Sequence, residues 1–281
     1  MSLPGLLAAA LLGLTAPGGI EVRHDLAYGP GPRGKLDVYL PRRVGPDTPV
    51  AVFIYGGSWQ SGDRSFYRFV GATLASRGIV TVIPDYRVYP RARYPDFLRD
   101  NALAVRFVKG HAGQWGADPA RLFLVGHSAG AYNVAMLAVD RRWLAEVGLD
   151  PRRDLAGTVG LAGPYDFLPL RDEKLKIIFG PPDRRPDTQP INHVDGQAPP
   201  MLLLAGDKDS VVDPGNATRL AAAIAARGGE GEARIYPGVG HVGLITALLP
   251  PFRHRAPVLD AVVDFIALHS ASVERQEKAA A

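Results

Sequence analysis

Along this chain, short unbroken runs of aliphatic and β-branched residues alternate with longer stretches of helical period, and few folds accept that alternation. The extended candidates are Ile20–Tyr28, Lys35–Tyr39, Val50–Tyr55, Ile79–Ile83, Arg121–Val125, Thr158–Leu161, Met201–Ala205 and Ala233–Tyr236. The middle runs lack polar alternation, as expected of parallel strands covered on both faces. Between them the spacing predicts helices over Phe66–Arg77, stopped by Gly78; Pro95–Lys109; Ala129–Val139; Ala217–Arg227, before Gly228; and Pro257 to about His269. No helical segment separates the first two strands, which predicts an antiparallel edge. Residues Gly163–Pro200, rich in Pro, Asp and Arg, read as an excursion between strands that forms at most a small lid. The expectation is one α/β domain over residues 20–270, followed by a polar, frayed tail over 271–281.

Composition narrows the chemistry. A chain of 281 residues, 47% hydrophobic, can bury one large core. Its 32 Gly and 25 Pro suit a turn-rich globular fold, not a low-complexity one. The absence of cysteine excludes disulfides, thiolate metal sites and a Cys nucleophile, so serine, histidine and carboxylates must carry any chemistry. The net charge of +4 comes from dispersed Arg pairs at 42–43, 141–142, 152–153 and 184–185, which argues against a nucleic-acid partner. No metal-ligand spacing such as HExxH occurs, and no cofactor is expected. At the N-terminus, Leu6–Leu14 is an apolar run like the central part of a signal peptide, too short to span a membrane. No Lys or Arg precedes Arg23, and the zone Leu14-Thr15-Ala16 is a poor cleavage site. Segment 1–19 is therefore expected to be a packed helix of a cytoplasmic protein rather than an export signal.

The strongest local signal is Gly126-His127-Ser128-Ala129-Gly130, between the apolar run Leu122–Val125 and a helical segment. A strand turning sharply into a helix strains the backbone at Ser128 and presents its hydroxyl at a helix N-terminus, where developing negative charge is favoured. Chance supplies only about 0.1 copies of such a pentapeptide in a chain of this composition. Tyr55-Gly56-Gly57-Ser58-Trp59 follows an earlier apolar run, where an elbow serine needs a loop of N–H donors. A competing motif, Gly29-Pro30-Gly31-Pro32-Arg33-Gly34, has the spacing of a nucleotide-binding loop. Pro30 and Pro32 offer no N–H to a phosphate and a strand follows, so it reads as a turn between edge strands. Asn216-Ala217-Thr218 fits both a glycosylation acceptor and a helix start.

Together, YGGSW, Asp85-Tyr86-Arg87, GHSAG, Gly163-Pro164-Tyr165-Asp166, Gly206-Asp207-Lys208-Asp209 and Gly238-Val239-Gly240-His241 resemble the α/β-hydrolase superfamily, in its carboxylesterase, feruloyl-esterase-like and hormone-sensitive-lipase-like branch. The resemblance covers about residues 20–270. It implies an eight-stranded, mostly parallel sheet flanked by helices, and a Ser, Asp, His triad in that chain order. Ser128 would be the nucleophile and His241 the base. Asp209 would be the acid, with Asp207 and Asp213 competing in the same loop. The oxyanion donors would be the N–H groups of Gly57, Ser58 and Ala129. Tyr55 stands where the usual HGG(G/x)W motif carries a generally structural histidine. Trp59, Tyr86 and Phe179 are expected to line a shallow apolar substrate site. The implied partner is a small-molecule ester with a short acyl or aryl group. Amide hydrolysis, as by arylformamidases and acyl-peptide hydrolases, is the alternative reaction, and a non-catalytic hydrolase-fold binding protein the alternative class.

Overall fold

The computed structural model describes residues 19–280, with side chains to residue 273. The apolar N-terminal run therefore lies outside the described residues. Eight strands, β1 (Glu21–Ala27), β2 (Lys35–Leu40), β3 (Val50–Ile54), β4 (Val80–Pro84), β5 (Leu122–His127), β6 (Gly157–Leu161), β7 (Met201–Gly206) and β8 (Gly231–Tyr236), form one sheet in the order β1-β2-β4-β3-β5-β6-β7-β8. β2 runs antiparallel to both neighbours, as the missing crossover helix requires, and the remaining pairs are parallel. This is the α/β-hydrolase fold.

Strands β3 to β7 are buried along their whole length because helices cover both faces. The pleat divides β7 between two cores. Leu202 and Leu204 join one that includes Val262 and Ile266, whereas Met201, Leu203 and Ala205 join another with Leu220 and Ile224. The covering helices include α1 (Arg68–Ala75), α2 (Asp96–His111), α3 (Ala129–Val139), α4 (Glu173–Ile178), α5 (Gly215–Ala226), α6 (His241–Thr246) and α7 (Val258–Ala280). Every residue of α3 is buried, which suits a helix apolar on all sides at the centre of the sheet.

The structure departs from two expectations. The first turn of the segment expected at Phe66 is a 3-10 turn over Arg64–Tyr67, because the Asp63 carboxylate accepts the Ser65 N–H at 2.8 Å and tightens it. The tail expected to fray continues as α7 to Ala280, since its Glu, Gln, Lys and Ala residues are strong helix formers despite their polarity. Between β6 and β7, the 163–200 excursion carries α4 and two 3-10 turns, Pro182–Thr188 and Pro190–His193. Among the described residues no helix is long and apolar enough to cross a membrane.

Candidate active site

The C-terminal ends of β3, β5, β7 and β8 bring the predicted residues to one edge of the sheet, where open α/β sheets bind ligands. Ser128 sits between β5 and α3 at φ 57°, ψ −122°. Its N–H donates to Leu161 O at 2.8 Å, and its carbonyl accepts the Tyr132 N–H at 3.1 Å. Sheet and helix thus hold it from both sides in a conformation that costs about 1–3 kcal/mol elsewhere. The flanking glycines answer to space: a Cβ on Gly130 would stand 2.0 Å from Ile54 O, and one on Gly126 2.3 Å from Gly130 O.

His241 opens α6 directly above the serine. Its Nε2 is 2.9 Å from Ser128 Oγ and its Nδ1 is 2.7 Å from Asp209 Oδ2. The second Asp209 oxygen accepts the N–H groups of Val211 at 2.8 Å and Val212 at 2.9 Å. Burial, with the side chain only 1% exposed, pushes the Asp209 carboxyl up, but His241 and the two N–H donors outweigh it and hold the group below the ordinary carboxylate range. An ionised carboxylate only accepts, so Nδ1 carries the imidazole proton and the bare Nε2 faces the serine hydroxyl.

The rival carboxylates have other partners. Asp207 accepts the Gly238 N–H at 2.6 Å, bracing the loop that carries His241. Asp213 accepts the Gly215 N–H at 3.0 Å and pairs with Arg219 at 3.1 Å. His127, beside the serine, faces His241 O through Nε2 at 3.3 Å, and burial followed by the neighbouring His241 pushes its pKa down to about 3. It is therefore a neutral support.

The YGGSW loop takes three successive positive φ values, 135° at Gly57, 52° at Ser58 and 57° at Trp59. Its carbonyl at Gly57 accepts the N–H groups of Gln60 and Ser61, both at 3.0 Å, so the loop closes on itself. Among the described residues no hydrogen bond engages the N–H groups of Gly57, Ser58 or Ala129. Trp59 is pinned by Nε1–H donation to Asn133 Oδ1 at 2.9 Å.

Ser58, Trp59, Ser128 and Ala129 face a cleft of about 580 Å³. Of the three side chains expected to line it, only Trp59 does. Tyr86 is fully buried with its hydroxyl donating to Tyr55 O at 2.8 Å, and Phe179 is packed edge-on behind Trp59, ring centroids 4.8 Å apart. Each finds a tertiary partner that local sequence does not reveal. The cleft walls are instead Phe167, Leu168, Leu170 and Leu175 from the excursion and Val211 and Val212 beside the acid loop, with Asp166, Arg171 and Arg219 among its charged groups. Only the apolar residues after GPYD could have signalled them. Asn216 is buried, its Oδ1 accepting the N–H groups of Tyr165 and Asp166, each at 2.7 Å, which decides for a structural role.

The chain is also similar to known proteins. The BD-FAE family model matches residues 36–224. A probable isoprenylcysteine alpha-carbonyl methylesterase of Arabidopsis thaliana is 27% identical over 245 residues, covering 79% of this chain and 51% of that protein. Esterase LipC of Mycobacterium tuberculosis is 30% identical over 210 residues, covering 68% of this chain and 52% of LipC. The chain thus spans about half the length of these curated relatives. Esterase B from Lactobacillus Rhamnosis superposes with a TM-score of 0.82 at 19% identity, over 98% of this chain and 93% of that one, and so shares the fold. A family match over well more than half of the chain, on a sheet of this order, makes the protein a member of the BD-FAE family of α/β-hydrolases.

Proposed function

We propose that this chain is a serine carboxylesterase working by acyl transfer. The observation that carries the reading is the unbroken hydrogen-bonded series from Ser128 Oγ through His241 to Asp209, beside a cleft that Ser128, Ser58 and Ala129 line. His241 Nε2 takes the hydroxyl proton as Ser128 Oγ attacks the ester carbonyl. The N–H groups of Ala129 and Gly57, with Ser58, receive the oxyanion, and loss of one such donor costs about 10²–10³ in rate. The imidazolium, steadied by Asp209, returns its proton to the departing alcohol. Water then enters, gives a proton to His241 and attacks the acyl-enzyme; Ser128 recovers the proton as the acid leaves.

The acyl group is short, roughly two to six carbons. The motive is that the space behind Trp59 is filled by Tyr132, Phe97 and Phe179, at centroid separations of 5.0, 5.9 and 4.8 Å. Labelling with a fluorophosphonate, followed by peptide mapping, and turnover of matched nitrophenyl esters and anilides test the reading. Modification confined to Ser128 with faster ester turnover supports it. An unlabelled Ser128 in folded protein overturns it, and faster anilide turnover transfers the assignment to amide hydrolysis.

A further inference from the structure

The turn Gly29–Gly34, whose spacing imitates a phosphate loop, closes on itself: the N–H groups of Tyr28 and Gly29 both donate to Gly34 O, at 2.9 and 3.1 Å. Its arginine turns toward the sheet and reaches the loop that follows β3. Arg33 Nη2 donates to the Tyr55 hydroxyl and to Gly62 O, both at 2.7 Å, and Nε donates to Tyr86 O at 2.6 Å. One guanidinium therefore holds the residue before the 56–61 loop and the residue after it. The hold extends further, because the Tyr55 hydroxyl donates to Asp85 Oδ1 at 2.8 Å and the same oxygen accepts the Arg64 N–H at 2.9 Å. Arg64 also pairs with the other Asp85 oxygen and with Asp37. A phenol oxygen accepts from Arg33 and donates to Asp85 at one atom, so Tyr55 works here as a relay between the two ends of the loop.

We propose that Arg33, acting through Tyr55 and Gly62, is a positioning residue that fixes where the Gly57 and Ser58 N–H groups point; this rests on the esterase reading of the site. A fork with three acceptors cannot be reproduced by a lysine ammonium, although the charge is kept. Arg33→Lys therefore separates hydrogen-bond geometry from charge. Tyr55→Phe removes one oxygen and leaves the ring stacked on Tyr86 at 4.8 Å and Tyr67 at 5.5 Å.

The experiment measures kcat and KM on nitrophenyl butyrate, melting temperature, the pH–rate profile, and affinity for an aryl trifluoromethyl ketone, whose adduct with Ser128 carries the oxyanion. Each variant is expected to lower kcat by about 10- to 100-fold with KM within about threefold. Ketone affinity should fall by about the same factor as kcat/KM, and the acidic limb of the profile, which belongs to the base, should stay where it is. The double variant should be no worse than the more damaged single one, since both break the same hold. Should Arg33→Lys fail to fold, Tyr55→Phe carries the test. A folded variant with kcat within about twofold of wild type, or a kcat loss with unchanged ketone affinity, overturns the proposal. Fluorophosphonate labelling of the wild-type protein separates the two possible failures: a labelled Ser128 with undamaged variants defeats Arg33 alone, whereas an unlabelled Ser128 defeats the esterase reading.

Discussion

Replacing Asp209 with Asn tests the direction of the hydrogen bonds that prepare the base. The native carboxylate accepts on both oxygens, from His241 Nδ1 at 2.7 Å and from the Val211 and Val212 N–H groups at 2.8 and 2.9 Å. An amide keeps only one accepting oxygen, and the two backbone donors claim it. The NH₂ group then faces His241 and donates to Nδ1, so the imidazole proton moves to Nε2 and points at Ser128 Oγ, where no proton can be accepted. Flipping the amide would set its N–H groups against two backbone donors, at a cost of about 2–4 kcal/mol, which lowers the working arrangement about 30- to 800-fold. Loss of the negative charge that steadies the imidazolium brings the expected fall in kcat to roughly 10⁴. Asp213→Asn is the control: its exposed carboxylate serves Gly215 and Arg219, so it should cost about 1 kcal/mol or less of stability and little activity. The assay is kcat on nitrophenyl butyrate at matched melting temperatures. Asp209→Asn within tenfold of wild type, with Asp213→Asn inactive, would refute the assignment of the acid.

Three further outcomes are expected. His127 has a folded pKa pushed down to about 3, below its unfolded value, so between about pH 6.5 and 3 the unfolded chain binds the extra proton and stability falls as pH falls. Wild type should lose about 2 kcal/mol more than His127→Asn between pH 7 and 5 in urea unfolding, and equal losses would contradict a buried neutral imidazole. A Cβ on Gly56 would stand 2.8 Å from Ser128 Cβ and 3.0 Å from His127 O, so Gly56→Ala should fold with kcat reduced about 10²-fold; a reduction under about threefold would mean that the loop and elbow tolerate separation. Across nitrophenyl esters, kcat/KM should peak at acetate to hexanoate and fall by decanoate, and a maximum at decanoate would show that the aromatic cluster behind Trp59 yields to the acyl chain.

The sheet was readable because buried parallel strands leave a plain trace: Val50–Ile54 and Met201–Gly206 are apolar runs that alternation would have broken had one face met water. The edge was less so. β8 begins at Gly231 and Glu232, residues that look like loop until its exposed face is known. Ser128 and His241 stood out because glycine-rich turns leave few structural roles for them. Asp209 stood out because Asp207 lies within a turn and Asp213 just ahead of a helix, places where a carboxylate serves the backbone. The wall of the cleft was hidden, since whether Tyr86, Phe179 or Phe167 meets substrate depends on what packs against each one, and that is set by residues far along the chain. The same holds for Arg33, which local spacing marks only as part of a failed phosphate loop, while its partners lie between 22 and 53 residues away.

In the proposed reaction Ser128 takes the acyl group. Rapid mixing with nitrophenyl acetate, quenched in acid and read by intact-protein mass spectrometry and peptide mapping, measures it directly. In the wild-type chain quenched within the first turnovers, an acetyl group is expected on Ser128, formed as an equal amount of nitrophenol is released, and none is expected in Ser128→Ala. Turnover by Ser128→Ala at the wild-type rate, or an acetyl group carried on any other residue, would contradict it.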